Sequence, residues 1–294
     1  MRPVLAAEAL SWTFVPNVAG GLAASALAYA ALVARRRRVR HRIAWRRLAA
    51  WFGGLAVIAI AVMSPLDSLA DERSFAAHMV QHELLLTVAP LLLLMGLDAQ
   101  LLVPLTRLVI RPALRHSVTR RALRAVTAPS LALGVWSITV LAWSIPAMVA
   151  LAYRNDTIHN AEHLQLLLVG LLFWAVILAP FPSLHRPNTA RKLTYLAIVC
   201  AVGAVVAAVL AFDPTILYRV PYAARRPWLG LSALTEQRLA AAIMMAIDMP
   251  AALAAAVWVV SRAHTTSTLT ADRDRDQPQT ASWLSPAVAG PNTP

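Results

Sequence analysis

Residues 75–96, FAAHMVQHELLLTVAPLLLLMG, join two histidines, a glutamine and a glutamate to a run of leucines apolar enough for lipid. At about 1.5 Å per residue such a helix covers roughly 33 Å, the thickness of a bilayer's hydrocarbon core. The rest of the chain matches that solvent. Of its 294 residues 59% are hydrophobic and 14% charged, with a mean hydropathy of +0.61, against about 45–50% apolar residues in a soluble domain. Apolar windows at 13–34, 48–63, 76–96, 129–151, 160–180, 193–212 and 239–260 predict seven helices. The fold class expected is all-α: a polytopic membrane helix bundle with seven transmembrane helices in one domain, residues 1–260. The second window is short, and the long stem of Arg46 or Arg47 is expected to extend it to the interface.

The formal net charge of +13 comes from basic residues concentrated in alternate loops. The run RRRRVRHRIAWRR (35–47), the segment 107–124, the segment 185–192 and the tail hold twenty of the 27 basic residues. Positive charge gathers on the cytoplasmic side, so the N-terminus is expected outside and the C-terminus inside. No aromatic residues are interleaved as a stacking surface, so the arginine runs do not read as a nucleic-acid site. Glu8 interrupts the apolar start, so no cleaved signal peptide is expected. The lone Cys200 excludes an intrachain disulfide and a C-x-x-C motif. Residues 261–294, rich in Thr, Ser, Pro and alternating charge, are expected to form a disordered cytoplasmic tail.

With that orientation, the third, fifth and seventh windows all begin at the outer face, and each carries polar or soft groups near its start. His78 and His82 open one, His159 and His163 another, and Met244, Met245, Asp248 and Met249 lie in the last. Polar groups inside a span are costly and mark function. Each histidine pair has i, i+4 spacing, which puts two imidazoles on one helix face a turn apart. Imidazole is the commonest metal ligand, and a thioether beside it turns the preference towards copper; zinc and haem stay open. The motif H-x-x-E-H at 159–163 also fits a membrane-embedded zinc-dependent hydrolase, with Glu162 activating water. Asp248 admits an ion or proton relay.

The segments SPLD (64–67), HMVQH (78–82), H-x-x-E-H (159–163), GLLFW (170–174) and EQRLAAAIM (236–244) together resemble the CtaG family of cytochrome c oxidase assembly proteins, associated with caa3-type oxidases. The resemblance covers about 64–260. It implies a multi-pass protein of the bacterial plasma membrane that works with cytochrome c oxidase subunits and membrane lipid, is not an enzyme, and assists copper delivery. It lends weight to Asp67, His78, His82, His159, Glu162, His163 and, less strongly, Met244. On this reading the four histidines and Met244 are the metal ligands, while Asp67, Glu83 and Glu162 receive ring N–H groups and fix the tautomers. The chain departs from the family pattern at Glu83, where methionine is common, and at Ser144, where a histidine is common.

Overall fold

The computed structural model describes residues 12–38, 43–179, 185, 187–218 and 230–276. Among them the regular structure is helical: α1 (Pro16–Arg38), α2 (Trp45–Met63), α3 (Pro65–Glu72), α4 (Phe75–Gly96), α5 (Ser117–Val126), α6 (Pro129–Trp143), α7 (Pro146–Arg154), α8 (Asp156–Leu178), α9 (Thr189–Phe212) and α10 (Ala233–Asp276). Short helical turns over 103–115 join α4 to α5. Six helices, α1, α2, α4, α8, α9 and α10, are long and apolar enough to cross a membrane, and the pair α5–α6, bent by 50°, makes a seventh if counted as one span. The chain is a polytopic helical membrane bundle.

The window 129–151, read from hydropathy as one span, is divided. Pro146 has no N–H to continue a helix, Ser144 Oγ donates back to the Val140 carbonyl at 2.7 Å, and the chain restarts as α7. At the other extreme, α10 runs through Pro250 and on to Asp276, past residue 260 where the expected membrane domain ended. Residues 277–294 of the expected tail lie outside the described residues.

The bundle exposes apolar side chains and buries a set of polar ones among its apolar core. Leu164, Leu168, Ile138, Val205 and Leu253 are exposed, whereas His78, Gln81, His82, Glu83, Thr87, Glu162, His163, Glu236 and Gln237 are buried. Lipid is as apolar as leucine, so contact and interhelical hydrogen bonds hold the helices together. The main apolar cluster joins Leu55 and Ile58 of α2, Leu85, Leu86 and Leu93 of α4, Trp136 of α6, Phe173, Trp174 and Ile177 of α8, and Tyr195 of α9. On α1, Tyr29 stacks on Trp51 at 4.6 Å and donates to the Gly96 carbonyl.

The starts of α4, α8 and α10 meet at one end of the bundle. Arg36 and Arg47, which bond Gln100 and the Leu97 carbonyl, lie at the other.

Candidate metal centre

Local caps place the histidine helices. Ser74 Oγ accepts the Ala77 N–H at 3.2 Å and donates to Glu236 Oε2 at 2.7 Å, and the same carboxylate oxygen accepts the Ala76 N–H at 2.9 Å. A carboxylate at the positive end of a helix is favourable, and this one ties α10 to the first turn of α4. Asn155 caps α8 by accepting the N–H groups of Thr157 and Ile158. Further down, Gly170 lets α8 close on α4. A Cβ there would stand 2.1 Å from the Leu86 carbonyl oxygen and 2.7 Å from Pro90.

The two histidine pairs consequently face one another. Ring centroids lie 4.1 Å apart for His78–His82 and 4.2 Å for His159–His163 along the helices, and 5.5 Å for His78–His159 and 5.8 Å for His82–His163 across them. His82 Nε2 is 3.4 Å from Glu162 Oε1, and His159 Nδ1 is 3.4 Å from Asp71 Oδ1. In each of two triads, His78–His82–Glu162 and Asp71–His78–His159, the possible ligand atoms all lie within 4.8 Å of one another. His78 Nδ1, His82 Nε2, His159 Nε2, His163 Nε2 and both carboxyl oxygens of Glu162 are buried without a hydrogen-bond partner among the described residues. Glu162 is 0% exposed. A buried polar group left unpaired costs roughly 1–3 kcal/mol. The two triads share His78, so their side chains are close enough to face a cation, while His163 belongs to neither triad.

The remaining candidates divide. Met244 is buried on α10 and lines, with His78, His82 and Glu83, a cavity of about 40 Å³ beside the imidazoles. Glu83 turns towards α10, where the Thr87 hydroxyl lies 3.3 Å from Glu83 Oε2 and 2.8 Å from Asp248 Oδ1. Asp67 accepts the Gln81 side-chain N–H at 2.6 Å, while Gln81 also donates to the Ala61 carbonyl at 2.7 Å. Burial, and then the neighbouring Asp71, push the Asp67 carboxyl up to about 6, with Gln81 and His159 pulling the other way. Among the described residues, neither Asp67 nor Glu83 has an imidazole as its hydrogen-bond partner.

Two contributors were missed in the sequence. Asp71 stands four residues after Asp67, one turn along the same face of α3, and that spacing was the available signal. Tyr153 of α7 packs its ring 5.0 Å from His78 and 6.2 Å from His159 and donates to the Ala70 carbonyl, closing the site over α3. No local pattern marks it.

The family model described as cytochrome c oxidase caa3 assembly factor (Caa3_CtaG) matches residues 27–265, a range that includes every residue of the centre just described. No curated protein and no solved structure matches the chain. With most of its length matched, the chain belongs to the cytochrome c oxidase caa3 assembly factor family.

Proposed function

We propose that this assembly factor binds a copper ion as cargo between α4 and α8 and hands it to a cytochrome c oxidase subunit. The observation that carries the reading is the set of four facing imidazoles, His78, His82 and His163 buried and His159 half-buried, each with a ring nitrogen that has no hydrogen-bond partner among the described residues. Asp71 Oδ1 stands 3.4 Å from His159 Nδ1, close enough to receive that N–H and leave Nε2 to the metal. His78, His82 and His163 supply further nitrogens, and Glu162 supplies an oxygen donor and a negative charge. Neutral imidazole serves copper in both oxidation states. The carboxylate favours Cu(II) and Met244, across the neighbouring cavity, favours Cu(I). A site whose donors change with the state of the ion suits transfer better than permanent retention.

The histidines lie about 5–10 Å along α4 and α8 from their first residues. Asp71, with a side chain 40% exposed, marks the side from which a recipient approaches. The membrane is the bacterial plasma membrane with this end outward, and the role is carriage without catalysis.

The test is the double variant His78→Ala/His163→Ala. It should insert and accumulate as the wild type does, yet purify with little copper and leave the oxidase poorly assembled, with partial rescue by added copper. An abundant double variant that supports full oxidase activity without added copper would remove the histidines from the mechanism. Zinc in place of copper in the purified wild type would transfer the site to another metal.

A further inference from the structure

Below the histidines the bundle holds a second group of soft donors. The chain contains eight methionines and one cysteine. Cys200 of α9 and Met244, Met245 and Met249 of α10 all line one cavity of about 20 Å³, with Asp248 and Thr87 in its wall. The helical period explains the grouping: Met245 and Met249 are one turn apart, Met244 is one turn before Asp248, and Cys200 is one turn before Gly203. Gly203 faces this point of α10, since a Cβ there would lie 3.9 Å from Asp248 Oδ2. A cavity needs about 10–15 Å³ to hold one water molecule, so this one has room for a single ion.

Met244, Asp248, Trp136 and Gly203 also line the cavity that carries His78 and His82. The two spaces therefore adjoin, with Met244 common to both. Met244–Met249 lie about 17–24 Å along α10 from Ala233, deeper than the histidines on their own helices. Methionine often fills core gaps. Here three methionines and the chain's single thiol line, with Trp136, Phe173, Trp174 and small apolar residues, a space of ionic size that adjoins the imidazole cavity. Thioether and thiol donors select Cu(I) over harder divalent ions.

We propose that Cys200, Met245 and Met249, with Met244 as the shared donor, form a second Cu(I) station in the middle of the membrane, exchanging its ion with the histidine centre. Transfer is ligand exchange: Met244 holds the ion while sulfur donors on one side are replaced by His78 and His82 on the other. The ion keeps its single positive charge and no electron moves. The station rests on the copper reading of the histidine centre, and the test separates the two.

The full-length protein in lipid nanodiscs is titrated anaerobically with Cu(I) against a Cu(I) chelator, and the copper X-ray absorption edge reports the neighbouring atoms. The wild type should take up two equivalents with both nitrogen and sulfur neighbours. The variant Cys200→Ala/Met245→Leu/Met249→Leu should lose one equivalent and most of the sulfur signal while keeping the nitrogen signal. His78→Ala/His163→Ala should do the reverse. Methionine to leucine nearly conserves volume, so the single variants Met245→Leu and Met249→Leu keep the test open if the triple fails to fold, each weakening the sulfur-bound equivalent by about tenfold. A wild type that binds one equivalent with no sulfur neighbour, or a sulfur variant that still binds two, overturns the station. A histidine variant that keeps both equivalents overturns the histidine centre instead and leaves the station standing.

Discussion

Asp67 and Asp71 stand one turn apart on α3, outside the spans, and do different work. Asp71 meets His159; Asp67 holds Gln81, whose amide also closes the end of α2 through the Ala61 carbonyl. Burial, and then Asp71, push the Asp67 carboxyl up to about 6 in the folded protein, from an ordinary value of 3.8. The fold thus binds more protons here than the unfolded chain between those two values, and stability falls as pH rises through that window. Above it the buried charge is a standing cost. Asp67→Asn keeps an acceptor for Gln81 and removes the charge. The variant should melt at a higher temperature than the wild type at pH 7 in detergent, and the fall in its melting temperature from pH 4 to pH 7 should flatten. An unchanged pH profile would mean that Asp67 is not the titrating group.

The EQ pair in the first turns of α10 shows how a motif divides into separate tasks at residue scale. Glu236 ties α10 to the start of α4, while the Gln237 amide accepts the Leu217 N–H and donates to the Leu210 carbonyl, pinning the chain that leaves α9. Both are buried, and both orient the centre without touching an imidazole by any contact described above.

At the scale of elements, the decisive feature is the contact of α4 with α8. Pro90 has no N–H to offer the Leu86 carbonyl, and α4 accommodates the loss with a π-helical turn over Leu84–Val88. That carbonyl points at the Cα of Gly170, two turns below His163 on α8. The same close approach that a missing Cβ permits sets the spacing of the histidine pairs above it. Gly170→Ala puts a Cβ where backbone oxygen stands, so the helices must separate. We expect a stability loss of about 1–3 kcal/mol and, on the proposed copper reading, weaker retention of copper by the purified protein. Gly134→Ala serves as the control, because a Cβ on that face of α6 meets nothing within 4 Å. Equal behaviour of the two variants would remove the α4–α8 contact from the account of the centre.

At the scale of the whole molecule, charge separates along the bundle axis. Arg35–Arg38, Arg46, Arg47, the arginines of 107–124, Arg191, Lys192 and Arg262 gather away from the histidines, whereas Arg73, Arg154 and Arg238 are the basic residues of the described chain at the histidine end. On the positive-inside bias the histidine centre is expected to face outward. A reporter fused to the C-terminus should be active only on the cytoplasmic side. Activity on the outer side alone would turn the bundle over and move the proposed exchange of copper to the cytoplasm.

Hydropathy and helical spacing are local properties, and the sequence by itself determined what depends on them: a polytopic helical bundle, and two i, i+4 histidine pairs each confined to one helix face. The break at Pro146 was also written locally, in WSIP, but an averaging window passes over a single proline inside an apolar run. Tertiary structure alone decided which faces meet. It brought Asp71 and Tyr153 to His159 and His78, turned Glu83 towards Asp248, and gathered Cys200 with three methionines of another helix. Those pairings follow from the rotation of each helix about its axis, set by contacts such as Leu86 with Gly170 between residues far apart in the chain. Side chains that share no period with their partners leave no trace of such contacts in a single sequence.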